Sequence, residues 1–177
     1  MKSYPNILIV QGSGRNVGKT LAASRIIENL AKKNKTVAVK ISPHFHELEE
    51  EKKFIHRSEG FIIVEEQRIT QKDSSRMLQN GAEKVYYVQA KNEFLPDVLD
   101  EILKRTEPNQ PVIIETGGLY DYMEPGLLLY IEDENPKKKV IVRNDSKVVK
   151  LSSLEVWHFN WDLIQFKNGK FYADAGI

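Results

Sequence analysis

The stretch Ile7-Leu8-Ile9-Val10-Gln11-Gly12-Ser13-Gly14-Arg15-Asn16-Val17-Gly18-Lys19-Thr20 decides how this chain is read. Ile7 to Val10 is a short, continuous apolar run. It ends at glycines, which is the pattern of a strand buried on both faces in a parallel sheet. Residues 18 to 33 then show helical spacing, with Leu21, Ile26, Ile27 and Leu30 mostly on one face. Thr36 to Ile41 is a second apolar strand. Strand, glycine loop, helix and strand together predict a right-handed βαβ unit.

The loop carries its own chemistry. A triphosphate is a dense anion, and successive backbone N–H groups can ring it only where no Cβ intrudes. Gly12, Gly14 and Gly18 meet that need, with Ser13, Arg15, Asn16 and Val17 as the other cradle residues. The helix that follows aims its N-terminal dipole at the same place. Lys19 is placed to reach the β- and γ-phosphates, and the Thr20 hydroxyl to ligate Mg²⁺. A dinucleotide G-x-G-x-x-G fingerprint fails by one residue, because its sixth position is Val17. The general phosphate-loop pattern G-x-x-x-x-G-K-[ST] wants glycine at position 13, where this chain has Ser13 between two glycines. The expected ligands are ATP or GTP with Mg²⁺.

Working outward, residues 42 to 59 are polar and predict a loop plus a short helix. Phe61 to Val64 is a further apolar run. Ser74 to Asn80 is predicted helical, with Asp73 as N-cap and Gly81 as its stop. Val85 to Val88 predicts a strand, Phe94 to Leu103 an amphipathic helix, and Val112 to Ile114 another buried strand. Leu127 to Ile131 and Val140 to Val142 are two more. Near the C-terminus, Asn168-Gly169 between Leu163–Phe166 and Lys170–Tyr172 is the strongest short signal for a β-hairpin. The fold class is α/β: a three-layer arrangement with a mostly parallel sheet and a C-terminal hairpin, in one domain over residues 1 to 177.

Composition narrows the function. With 41% apolar residues the chain can bury a sizeable core. Its formal net charge of +1 argues against a dedicated nucleic-acid binder, which usually carries a basic excess. No residue is cysteine, which excludes disulfides, thiolate zinc sites and thiol nucleophiles. Residues 1 to 5 do not form a signal peptide, and no apolar run approaches a membrane span. The cytoplasm is the expected location, with no membrane partner.

Further chemistry gathers at predicted strand ends. Glu115 ends Val112-Ile113-Ile114 and precedes Thr116-Gly117-Gly118. At the sheet edge where ligands bind, a carboxylate can hold Mg²⁺ or orient an attacking group. Lys40 ends the second strand at the same edge and can hold a phosphate or a substrate carboxylate. Lys19, Lys40 and Glu115 are therefore the candidate catalytic residues, and Thr20 and Glu115 the candidate metal ligands. His44 and His46 alternate as metal or phosphate partners, although two histidines without a third ligand are commonly plain loop residues. Asn144-Asp145 follow a late strand and suit base reading, since an Asp accepts from guanine N1–H and N2–H; the pair is also an ordinary turn. Trp157 and Trp161 are expected to be packing residues.

The phase of the loop carries a resemblance. Gly12-Ser13, then Asn16-Val17-Gly18-Lys19-Thr20, resembles the loop of dethiobiotin synthetases and cobyrinic-acid amidases, where glycine falls one place early. These share a branch of P-loop proteins with MinD and ParA-type ATPases, which implies a seven- or eight-stranded, largely parallel sheet and often a homodimer. Glu115-Thr116-Gly117-Gly118 looks like the Glu-Gly-Ala-Gly-Gly element of dethiobiotin synthetases, although MobB proteins carry Glu-Gly-Phe there. Lys40, with His44 and His46 after it, is similar to the Lys-His-x-His-His element of MobB. Lys72-Asp73-Ser74-Ser75-Arg76 with Gly81-Ala82 resembles MobB closely. The resemblance spans roughly residues 6 to 145. It implies a MobB-like GTP-binding accessory of molybdenum-cofactor biosynthesis with slow hydrolysis, working with a partner protein. The alternative it implies is a dethiobiotin synthetase-like ligase or kinase acting on a small carboxylate.

Overall fold

The computed structural model describes residues 1–70, 72–134 and 147–174. Its centre is an eight-stranded sheet, and its elements in chain order begin with β1 (Ser3–Gly12), α1 (Lys19–Ala31) and β2 (Val37–Ser42). β3 (Lys53–Arg57), β4 (Phe61–Glu65), α2 (Asp73–Gln79) and β5 (Lys84–Ala90) follow. Then come α3 (Leu95–Leu103), β6 (Val112–Glu115), β7 (Glu124–Glu132) and β8 (Val148–Ser152). The strand order is β3-β4-β5-β2-β6-β1-β7-β8. All pairings are parallel except β3 with β4 and β4 with β5. A separate antiparallel hairpin, β9 (Ile164–Lys167) and β10 (Lys170–Ala173), turns at Asn168-Gly169, both with positive φ. The α/β class, the mostly parallel sheet and the terminal hairpin thus agree with the sequence reading.

The central strands are apolar throughout because both faces are covered. Ile7 and Ile9 of β1 join Val98, Leu99 and Ile102 of α3 in one core. Leu8 and Val10 point the other way, to Ala22, Ala23, Ile26, Ile27 and Leu30 of α1 and Met77 of α2. The hairpin packs Ile164 and Phe171 into this second core. Gly81, at φ 99°, takes the left-handed conformation that ends α2. None of the helices among the described residues is long and apolar enough to cross a membrane.

Four expectations need correction. Residues 42 to 59 contain no helix; they hold the edge strand β3 instead. β3 reads as polar because an edge strand is only half covered, and its Lys53, His56 and Arg57 belong to such an edge. Strand β8, at the opposite edge, also went unread. Asp73 is the first helical residue of α2, not its cap, and its carboxylate turns to Lys40. Trp157 is not a packing residue: it is 70% exposed, whereas Trp161 packs edge-on to Phe159 with centroids 4.8 Å apart. Val140–Val142 and the pair Asn144 and Asp145 lie outside the described residues.

The β1–β7 ladder slips between Tyr4 and Leu8, around Pro5, which has no N–H to donate. Opposite the slip, a Cβ on Gly126 would overlap the Pro5 carbonyl, so backbone must move to admit it. Gly126→Ala is expected to cost about 2 kcal/mol, the scale of an overpacked core. Urea unfolding followed by circular dichroism checks it; an unchanged midpoint would show that the ladder tolerates the methyl group.

Candidate functional site

Parallel register assembles the site. β6 lies between β1 and β2, so Glu115 pairs with Val10 on one side and Lys40 on the other. All three residues stand at the C-terminal edge of the sheet, where the loop 12–20 leaves β1. Alternation along each strand puts Lys40 and Glu115 on the α1 face, beside Ala38 and Ile113.

The loop is tightly folded. A Cβ on Gly12 would stand 2.7 Å from Val17 Cγ2 and 2.9 Å from the Ile131 carbonyl oxygen. Asn16 has φ 58° and Gly18 has φ 100°, so two left-handed residues curl the chain before α1 begins. Gly18 caps α1 with no side-chain bond, leaving the first helical N–H groups uncapped by side chains. The Lys19 ammonium reaches back across the loop to the Gly14 carbonyl at 2.5 Å. The Ser13 N–H donates to the Ile131 carbonyl, and its hydroxyl accepts from the Asp133 N–H at 2.7 Å. These features match a cradle for an anion: glycines where Cβ atoms do not fit, a helix N-terminus, and a lysine arched over the top.

Below the loop, one ammonium holds several oxygens. Lys40 Nζ lies 2.8 Å from Asp73 Oδ2, 3.1 Å from Glu115 Oε1 and 3.3 Å from Glu115 Oε2. It also donates to Thr20 Oγ1 at 3.0 Å, and the Thr20 hydroxyl donates to Glu115 Oε2 at 2.9 Å. The Lys40 and Glu115 side chains are 18% and 7% exposed, so this is a largely buried pair. Burial drives the Lys19 ammonium below the usual lysine pKa; Glu115 partly offsets this, and the charge of Lys40 adds to it. For Asp73, burial acts to raise the pKa. The Lys40 bond and charge, Arg76 and Thr20 outweigh it, leaving the carboxyl below its usual range. Its stabilising contribution is therefore present above the ordinary carboxylate pKa and fades as pH falls through the lowered one.

The candidate residues Gly12 to Thr20, Lys40, Asp73 and Glu115 are brought together. His44 and His46 part company: His44 Nε2 takes a bond from Arg15 at 2.7 Å, while His46 Nδ1 meets Gln89 at 3.1 Å. No group of three His, Asp or Glu gathers among the described residues. The Thr20 hydroxyl and the Glu115 carboxylate are hard oxygens of the kind that would hold Mg²⁺. Two residues escaped sequence reading. Asp133 sits with Oδ2 3.0 Å from where a Gly14 Cβ would stand, and Val156 Cγ1 stands at the same distance from a Gly18 Cβ. Asp133 directly follows the end of β7, much as Glu115 ends β6, and that signal was available; Val156 carries none. Beside Lys40 and Asp73 a cleft of about 420 Å³ opens toward Lys52, Glu66 and Tyr87. No protein-family model, curated protein or solved structure matches this chain.

Removing one partner of a buried pair leaves the other charge without compensation. Lys40→Met is expected to lose about 3 kcal/mol of stability, with most of it recovered in the Lys40→Met/Glu115→Gln double variant. Chemical denaturation of the four proteins checks the cycle; additive losses would mean that the two side chains do not interact.

Proposed function

We propose that residues 12–20 are a P-loop and that the protein binds a nucleoside triphosphate, ATP or GTP, with Mg²⁺. The observation that carries this is the convergence of Lys19 and Thr20 with Lys40 and Glu115 at one sheet edge, under a loop whose Gly12 leaves no room for a Cβ. In this reading the loop N–H groups and Lys19 hold the phosphates, and Lys19 exchanges its bond to Gly14 for phosphate oxygens. Thr20 and Glu115 would hold the metal, which would supply charge neutralisation at the phosphates. Lys40, released from part of its contact with Glu115, turns its charge toward the terminal phosphate.

The MobB-like form of the reading is a GTP-binding accessory with slow hydrolysis. It is supported by Lys40 and Asp73, which belong to the two stretches similar to MobB and lie 2.8 Å apart. The ligase or kinase form is favoured by the cleft at Lys40 and Asp73, which offers space for a second substrate. A thermal-shift panel of ATP, GTP, ADP and GDP with Mg²⁺ separates the two. Preference for GTP favours the accessory; preference for ATP, with turnover stimulated by a small acid, favours the transferase.

Lys19→Ala is expected to weaken triphosphate binding by about 100-fold, the scale of lost hydrogen bonds to a charged group. Calorimetry showing unchanged binding would overturn the P-loop assignment. The pH profile follows from the lowered Lys19 pKa. Phosphates favour the charged amine, so affinity is full below the lowered pKa and falls as pH rises through it. The fall should therefore begin below the ordinary lysine range in the wild type and be absent in Lys19→Ala.

Glu115→Gln keeps the shape of the side chain and removes its charge. It is expected to lower Mg²⁺-dependent turnover by about 100-fold while changing triphosphate affinity much less. Single-turnover phosphate release checks it, and an unaffected rate would return Glu115 to a purely structural role.

A further inference from the structure

We propose that the cleft beside Lys40 binds a small hydroxy acid and presents its hydroxyl to the terminal phosphate held by the loop. The proposal rests on the triphosphate reading above and names the acceptor that such a site would take. The cleft's volume of about 420 Å³ falls within the range of small-molecule sites. Lys40 and Asp73 form the wall it shares with the loop. An occupant therefore meets the triphosphate end of the site across these two side chains.

The floor of the cleft is polar for a reason that stability does not supply. Lys52 and Glu66 form an ion pair at 3.1 Å with side chains only 13% and 6% exposed. The Ser74 hydroxyl donates to Glu66 Oε1 at 2.7 Å, so the carboxylate is held from two sides. Such a pair pays a desolvation cost that apolar residues of the same size avoid. Placed against a cleft, it makes a rigid dipole that orients a polar guest. At the rim, Lys72 pairs with the exposed Glu49 at 3.2 Å. Exposed pairs of this kind are weak. A ligand carboxylate or phosphate can therefore replace Glu49 at Lys72. Leu48 and Tyr87 add an apolar wall for a short carbon body.

Asp73 selects the nucleophile. Its carboxylate is half exposed, bonded to Lys40 and part of the cleft lining, where it can accept a hydrogen bond from a guest hydroxyl. A hydroxyl needs such an acceptor; a carboxylate nucleophile does not. In the step, the acceptor oxygen forms a bond to the γ-phosphorus. The bond from that phosphorus to the bridging oxygen breaks, and its electron pair stays on the β-phosphate of the departing diphosphate. The hydroxyl proton passes to Asp73 and then to water.

The test is an amide-shift NMR titration of the full chain loaded with Mg²⁺ and a non-hydrolysable triphosphate analogue. The probes are glycerate, 4-hydroxyphenylacetate and glycerol 3-phosphate, with uncharged glycerol as the comparison. At least one charged probe should shift Tyr87 and Ser74 saturably, while glycerol does not. Lys72→Ala, an exposed change that leaves the core intact, should weaken that probe by about tenfold, the loss of a charged hydrogen bond. With ATP in place of the analogue, ³¹P spectra should show the phosphorylated probe. Silence at Tyr87 and Ser74 for every probe, or equal binding by Lys72→Ala, overturns the proposal. Triphosphate affinity measured on the same samples keeps the two readings apart. A silent cleft with normal triphosphate binding removes the acceptor site alone; absent triphosphate binding removes the reading beneath it.

Discussion

Strand β6 runs parallel between β1 and β2, and that single placement organises the charged cluster at the C-terminal edge of the sheet. Its register sets Glu115 level with Val10 and with Lys40. Period-two alternation then turns both charged side chains to the α1 face, where Thr20 opens the helix. A slip of one residue in β6 would send Glu115 to the α3 face and leave Lys40 with Asp73 and Thr20. The register is guarded by the core: Ile113 packs on the α1 side, while Val112 and Ile114 pack on the α3 side.

Charge at the site is closely balanced. Two ammonium groups, Lys19 and Lys40, meet two carboxylates, Asp73 and Glu115. None of the four has the full hydration that a surface charge enjoys, so each depends on the others. Burial lowers the pKa of Lys19, so its surroundings in the loop disfavour the cation. Lys40 donates to Thr20 and to both carboxylates, so its one ammonium offsets the repulsion between Asp73 and Glu115.

The loop is locked from outside as well as from within. Ile131 and Asp133 come from the end of β7, and Val156 comes from a short 3₁₀ turn, Glu155–Trp157, after β8. Chain segments far from the glycines therefore hold their curvature. This explains how a loop with Ser13 in place of glycine keeps a compact form: Ser13 is bonded through both its N–H and its hydroxyl, to Ile131 and Asp133.

By itself the sequence determined the elements whose signals are local. Apolar runs marked the buried strands, 3.6-residue spacing marked α1 and α3, and Asn168-Gly169 marked the hairpin, because each depends on a few neighbouring residues. It also marked Gly12 to Thr20, Lys40 and Glu115, since glycine spacing and strand-end charges are visible in one dimension. Edge strands β3 and β8 escaped because half-covered strands need few apolar residues. The tertiary structure alone decided that β6 separates β1 from β2, that Asp73 answers Lys40 instead of capping its helix, and that Asp133 and Val156 brace the loop. Those outcomes join residues as far apart as Ser13 and Asp133, 120 positions along the chain. Strand order and packing bring such residues together, and no local pattern encodes which of several compatible orders buries the core.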